Sequence, residues 1–211
     1  MKKILLTLFC CALFGVSSAS AIDAFGGLFG NLATARTIGM GQGSLSGNVG
    51  IADVTSVFGV FTYGASEDVD FRIKAGLADG NGGDTEFTIG TDLKYQLWRV
   101  NIDPQGRNQS KNPFDLALGG MFEYIDHLWQ LGGFATGSYP VALSNGMTLS
   151  PYARFNVRVE RFSYAGYSDS GIKFGLNGGA ALKFTQTITA YGEFQLDGND
   201  GVFLGLDFLV L

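Results

Sequence analysis

Cysteine is almost missing from this chain of 211 residues: the two present, Cys10 and Cys11, fall inside its apolar leader. There is one histidine, His127, and there are only 4 prolines. Charged residues make up 16%, against about 25% in an average soluble domain. After residue 21 no run of 18 consecutive apolar residues occurs. Each shortage excludes something. A chain that loses both cysteines with its leader forms no disulfide, zinc–thiolate site or cysteine nucleophile. One histidine without cysteine is too little for a transition-metal site, so no metal and no cofactor is expected. The net charge of −5, with no basic patch, leaves nothing to release counterions from nucleic acid. The lack of a long apolar run excludes a helix across a membrane.

Glycine and aromatics are abundant. The 32 Gly, 18 Phe and 8 Tyr bury too much surface for a disordered tail and carry no collagen period. Lys2 and Lys3 precede the apolar stretch Ile4–Val16, and Ser17-Ser18-Ala19-Ser20-Ala21 has the small-x-small pattern of a cleavage site. This predicts a signal peptide over 1–21 and export. Losing Lys2 and Lys3 takes the net charge from −5 to −7.

The mature sequence changes character at every residue. Val69, Phe71, Ile73, Ala75 and Leu77 alternate with Asp70, Arg72, Lys74 and Gly76. Phe87, Ile89, Leu93, Tyr95 and Leu97 alternate with Glu86, Thr88, Gly90, Asp92, Lys94 and Gln96. Ile172, Phe174, Leu176, Leu182 and Phe184 oppose Lys173, Asn177 and Lys183. Side chains of a strand point alternately to opposite faces, so this period of two predicts strands with one apolar face. Further strands are expected over Phe114–Ile125, Trp129–Val141, Met147–Phe162, Ile188–Leu196 and Val202–Leu211, and earlier ones near Ile38–Ser46 and Ile51–Tyr63. Ser46-Gly47-Asn48, Asp79 to Asp84, Ser144-Asn145-Gly146 and Asp197 to Gly201 read as turns, because they supply Asn and Gly where hairpins need positive φ. The count is about ten strands, with eight or twelve as alternatives.

Alternation alone does not choose between a soluble barrel, apolar inside, and a membrane barrel, apolar outside. The strands run about 10 to 14 residues, which suits a tilted bilayer crossing of ~9–11 better than the usual ~5–6. Tyr63, Trp98, Phe114, Tyr124, Trp129, Tyr139, Phe162 and Tyr164 sit near strand ends, as an interfacial girdle requires. The expectation is an all-β, transmembrane, antiparallel up-and-down barrel over 37–211, preceded by a short periplasmic segment over 22–36. Phe25, Leu28 and Phe29 of that segment would add to a plug.

With these features the chain resembles small Gram-negative outer-membrane β-barrel proteins. Gly205, Phe208 and Val210 are similar to the C-terminal assembly signal of such proteins, although the chain ends on Leu211 rather than an aromatic residue. That resemblance implies two partners, outer-membrane lipid and the barrel-insertion machinery, and a monomer. Ala35-Arg36-Thr37-Ile38-Gly39-Met40-Gly41 is similar to the opening of barrels related to long-chain fatty-acid transporters.

Catalytic chemistry has little to stand on. His127 next to Asp126 is the one acid–base pair, and neighbours on a strand face opposite ways unless a turn redirects them. Gly26-Gly27, Gly39-Met40-Gly41 and Gly178-Gly179 lack the strand–loop–helix setting of phosphate loops. Asp79, Asn81 and Asp84 lack the terminal Glu of a calcium loop. What stands out is charge on the inward face. The register places Asp70, Arg72, Lys74, Glu86, Asp92, Lys94, Asp115, Glu123, Arg154, Arg158, Glu160, Lys173, Lys183, Glu193 and Asp207 in the lumen. It places Phe71, Ile73, Phe87, Ile89, Leu93, Phe174, Leu176, Leu182, Phe184 and Phe208 against lipid. Seven cations and eight anions nearly cancel, which fits a salt-bridged interior or a narrow wet path. The function expected is non-enzymatic: a narrow porin-like channel or a structural envelope protein. A transporter passing small hydrophobic molecules through the barrel wall, and a soluble exported barrel binding an apolar ligand, are the alternatives.

Overall fold

The computed structural model describes residues 27–80, 85–103, 107–164 and 167–211. The expected signal peptide, Phe25, and Asn81 and Asp84 of the acidic loop lie outside them. Strands β1 (Gly43–Ala52), β2 (Val54–Gly64), β3 (Val69–Gly80), β4 (Thr85–Trp98), β5 (Asp115–Ile125) and β6 (Leu128–Ser138) follow one another as antiparallel hairpins. After a two-residue piece, β7 (Val141–Ala142), come β8 (Thr148–Tyr164), β9 (Tyr167–Lys183), β10 (Ile188–Leu196) and β11 (Gly201–Leu209). β6 pairs with β8, and β1 pairs with β11 over Ser44–Ala52, so ten long strands close into a barrel without an edge. Closure matters, because lipid offers no partner to an unpaired backbone.

Ten strands put the start of β1 and the end of β11 at one rim, here called proximal. The turns after β2, β4, β6 and β9 share that rim, and those after β1, β3, β5, β8 and β10 form the distal rim. The long polar connection between β4 and β5 is therefore proximal. It is compact: Arg107 pairs with Asp103 at 2.8 Å, Ile102 bridges Asn108, and the Val100 amide donates to Asp115 at 2.6 Å.

The faces are inverted relative to a soluble protein. Ile172 and Phe174 are each 65% exposed, and Phe71, Ile73, Phe87, Ile89, Leu93, Leu176, Phe184 and Phe208 are also exposed on the outer wall. Leu182 is half-buried there. Inside, Asp70, Lys74, Glu123 and Arg158 are each at most 1% exposed. Tyr63, Trp98 and Phe114 stand on the outside at the proximal rim, with Trp98 edge-on to Phe114 at 5.4 Å. Tyr124 and Trp129 are register partners at the distal rim. Strict alternation would turn Trp98 inward, since the even positions of β4 face the lumen. A bulge between Gln96 and Trp98 inserts Leu97 and turns both Leu97 and Trp98 outward.

Three expectations change. β1 begins at Gly43, not near Ile38, because Gly39 and Gly41 hold positive φ (104° and 75°) and bend the chain into the mouth. Ser46-Gly47-Asn48 is no turn: it lies within β1, facing Val60, Gly59 and Phe58 of β2, and the actual reversal is at Asp53. Phe162 points inward, half-buried against the interior apolar cluster, rather than into a girdle. The side chain of Tyr164 lies outside the described residues.

A lumen occupied by the N-terminal segment

Hairpin register builds the charged interior. Asp70 faces Lys94 and Arg72 faces Asp92 across β3 and β4. Lys94 Nζ lies 3.0 Å from Asp70 Oδ2. Arg72 donates to both Asp92 oxygens, from Nε at 2.6 Å and Nη2 at 2.7 Å. Lys74 bridges Asp92 and Glu123, each at 3.2 Å. Nearer the distal rim, Arg158 pairs with Glu160 at 2.6 Å and Asp197 at 3.1 Å. At that rim, burial raises the Asp197 carboxyl above the usual carboxylate range, opposed by the charge of Arg158. Arg154 stacks over Phe134, 3.9 Å from the ring centre. Such pairs satisfy charges that burial would otherwise make costly, by several kcal/mol per ion.

The second feature is the chain itself. Residues 27–36, expected as a short periplasmic segment adding to a plug, run through the lumen, where wall side chains take five of their amides and four of their carbonyls. At the distal end the Gly27 amide donates to Asp197 Oδ1 (3.1 Å), and the Gly27 carbonyl accepts from Gln195 (2.6 Å) and Asn199 (3.1 Å). The Leu28 amide donates to Glu123 at 3.0 Å. Midway, Glu193 takes two successive amides, Asn31 on Oε1 (2.7 Å) and Leu32 on Oε2 (3.0 Å), while Arg72 donates to the Asn31 carbonyl (2.7 Å). The paired grip coincides with a left-handed backbone at Leu32, φ 40°, a conformation that a side chain disfavours. Lys94 donates to the carbonyls of Thr34 (3.0 Å) and Arg36 (2.8 Å), and the Ala35 amide donates to Ser138 (3.1 Å). At the proximal mouth the Thr37 amide donates to Gln96 (3.0 Å) and that of Ile38 to Asp70 (3.2 Å). Arg36 reaches the carbonyl of Val100 and lies 3.3 Å from Asp115.

Side chains complete the fit. Leu28, Phe29 and Leu32 join Val54, Phe58, Ala78, Ile125, Leu128 and Phe203 in an apolar cluster on the distal side, with Phe29 edge-on to Phe58 at 4.9 Å. Gly30 passes so close to Phe203 that an added Cβ would stand 2.6 Å from the ring. A polar cavity of about 40 Å³ remains beside residues 31–34, facing Arg72, Tyr191 and Asp207, room enough for a few waters.

The charges expected in the lumen divide into groups. Asp70, Arg72, Lys74, Asp92, Lys94, Asp115, Glu123, Arg154, Arg158, Glu160 and Glu193 are buried inside. Glu86, Lys173 and Asp207 are half-buried, and Lys183 is exposed where β9 meets the proximal rim. Sequence reasoning missed Gln96, Ser138, Gln195 and Asn199, which hold backbone atoms of the segment, Asp197, which takes the Gly27 amide as well as Arg158, and Asn31, whose side chain accepts from Arg154. Asp126 and His127 form a 2.8 Å pair, because the turn at Asp126 (φ 33°) redirects the carboxylate. Both side chains are exposed at the distal rim, away from the lumen.

No protein-family model matches this chain, and no curated protein does. Among solved structures it is similar to a protein titled KdgM porin, at 10% identity and a TM-score of 0.42, covering 80% of this chain and 99% of that one. It is also similar to an outer membrane channel from Pseudomonas putida F1, at 10% identity and a TM-score of 0.39, covering 83% and 98%.

Proposed function

We propose that this chain is a non-enzymatic outer-membrane β-barrel, a narrow porin-like channel whose lumen is held shut by its own N-terminal segment. The observation that carries this is the inversion of faces: a closed wall with exposed Phe, Ile and Leu outside and sealed charges inside. Lipid is the solvent that suits such a wall. Export by the leader, with an even number of strands, puts the start of β1 and the end of β11 on the periplasmic side and makes the distal rim the cell-surface side. The C-terminal strand supports recognition by the insertion machinery. Its Phe208 and Val210 face outward, and Val210 is anchored by a 2.8 Å bond from its amide to the Gly43 carbonyl. Asp70, Arg72, Lys74, Asp92, Lys94, Glu123, Arg154 and Glu193 would line the conducting path once the segment leaves.

Single-channel recording tests this. Residues 22–211 refolded into planar bilayers should be largely silent, and a chain shortened to begin at Thr37 should show stable discrete openings. Failure of the full-length mature chain to insert at all would overturn the membrane reading. Frequent large openings from the full-length mature chain would overturn the closure.

A further inference from the structure

Among the described residues the lumen wall recognises main chain rather than one sequence. Seven amides of the segment, from Gly27 to Ile38, donate to wall side chains. The carbonyls of Gly27, Asn31, Thr34 and Arg36 accept from wall side chains. Carboxylates and amide oxygens stand opposite N–H groups, and Arg, Lys and amide nitrogens stand opposite C=O groups. This is the set of partners that any peptide backbone needs when taken out of water. Side-chain demands are few. Leu28, Phe29 and Leu32 fill the apolar cluster, Asn31 accepts from Arg154 at 2.5 Å, and Gly30 must be small. The segment joins the wall covalently only through the loop at Met40–Gln42, which is exposed.

We infer that the lumen is a peptide-binding site, and that residues 27–37 are its tethered occupant. The ligand class is a peptide with an apolar pair, a glycine, an asparagine and a third apolar residue, followed by small residues and an arginine that pairs with Asp115. Its backbone amides and carbonyls carry the binding. The inference rests on the barrel reading above. If the lumen binds backbone, an occupant cut from its tether is replaceable by a free peptide of the same pattern.

The test uses the full mature chain with a protease site replacing Met40-Gly41-Gln42, folded into vesicles and checked for insertion before cleavage. The cut protein is incubated with an excess of a fluorescent synthetic peptide of residues 27–37. In a parallel arm it is unfolded in urea and refolded with that peptide. Mass spectrometry reads which peptide is held. Labelled peptide should replace the native fragment one to one in the refolding arm. A peptide N-methylated at Asn31 and Leu32, which keeps both side chains but lacks the two amides that Glu193 accepts, should bind at least tenfold more weakly. Retention of neither fragment nor peptide by inserted protein would overturn the proposal, as would equal binding of the N-methylated peptide. Failure of the uncut protein to insert would instead overturn the barrel reading, so the two are told apart.

Discussion

Glu193 is where the plug and the wall are most tightly coupled, and Glu193→Gln isolates that coupling. The carboxylate accepts four hydrogen bonds: Asn31 and Leu32 amides, Tyr152 Oη at 2.8 Å and Asn177 Nδ2 at 2.9 Å. Glutamine has the same shape but a single acceptor atom. If its oxygen takes the place of Oε1, the bonds from Asn31 and Asn177 survive. The NH2 then faces the Leu32 amide and the Tyr152 hydroxyl. The hydroxyl can turn and accept, but the Leu32 amide is orphaned. An orphaned buried donor costs ~1–3 kcal/mol, and the surviving bonds lose the strength that an ionised acceptor gave them. The sum is ~2–4 kcal/mol, directed at the plugged state. Urea titration of the mature chain in vesicles should show that loss. Hydrogen exchange should show the amides of residues 31 and 32 opening faster while amides of β3 and β4 keep their protection. A change below ~0.5 kcal/mol, or equal loss of protection through the wall, would refute the reasoning.

Other sites probe separate parts of the structure. Gly30→Ala should cost ~1–3 kcal/mol by overpacking against Phe203, and Phe203→Leu in the same chain should recover most of it in the same titration. Asp92→Asn leaves Arg72 and Lys74 without their shared buried anion, and ~3–5 kcal/mol of stability should be lost; an unchanged midpoint would mean that water reaches this pair. Leu176→Arg, outward-facing midway along β9, should cost ~2–4 kcal/mol in lipid vesicles. If that variant is as stable as the parent in lipid, the outer face does not meet hydrocarbon.

Much of the wall was legible in the sequence because a strand writes its two faces at alternate positions. That period separates Phe71, Ile73, Phe87 and Ile89 from Arg72, Lys74, Asp92 and Lys94, and strand length with the aromatics near strand ends chose which set faces out. The departures have local causes. The bulge at Leu97 breaks the period by one residue, and the positive φ of Gly39 and Gly41 moves the start of β1 to Gly43. Phe162 sits on the inner face although its place near a strand end suggested a girdle. A plug was legible in Leu28 and Phe29, but its course through the lumen was not, because Gly27 to Thr37 has no period of its own. Its partners, Gln96, Ser138, Gln195 and Asn199, bind backbone atoms that every residue carries, so no complementary pattern marks them.

The passage of residues 27–37 through a closed ring makes the molecule an axle within a wheel. Because β1 leaves from the proximal mouth, the segment can withdraw only in that direction. Leu28 and Phe29, seated in the apolar cluster on the distal side, must then be dragged past Arg72, Asp92 and Arg154. Apolar side chains crossing a belt of paired ions disrupt those pairs while gaining no contact of their own. Residence in the lumen is therefore governed by a transit barrier as well as by the strength of the bonds. An occupant held in this way leaves slowly even when mutation has made leaving favourable.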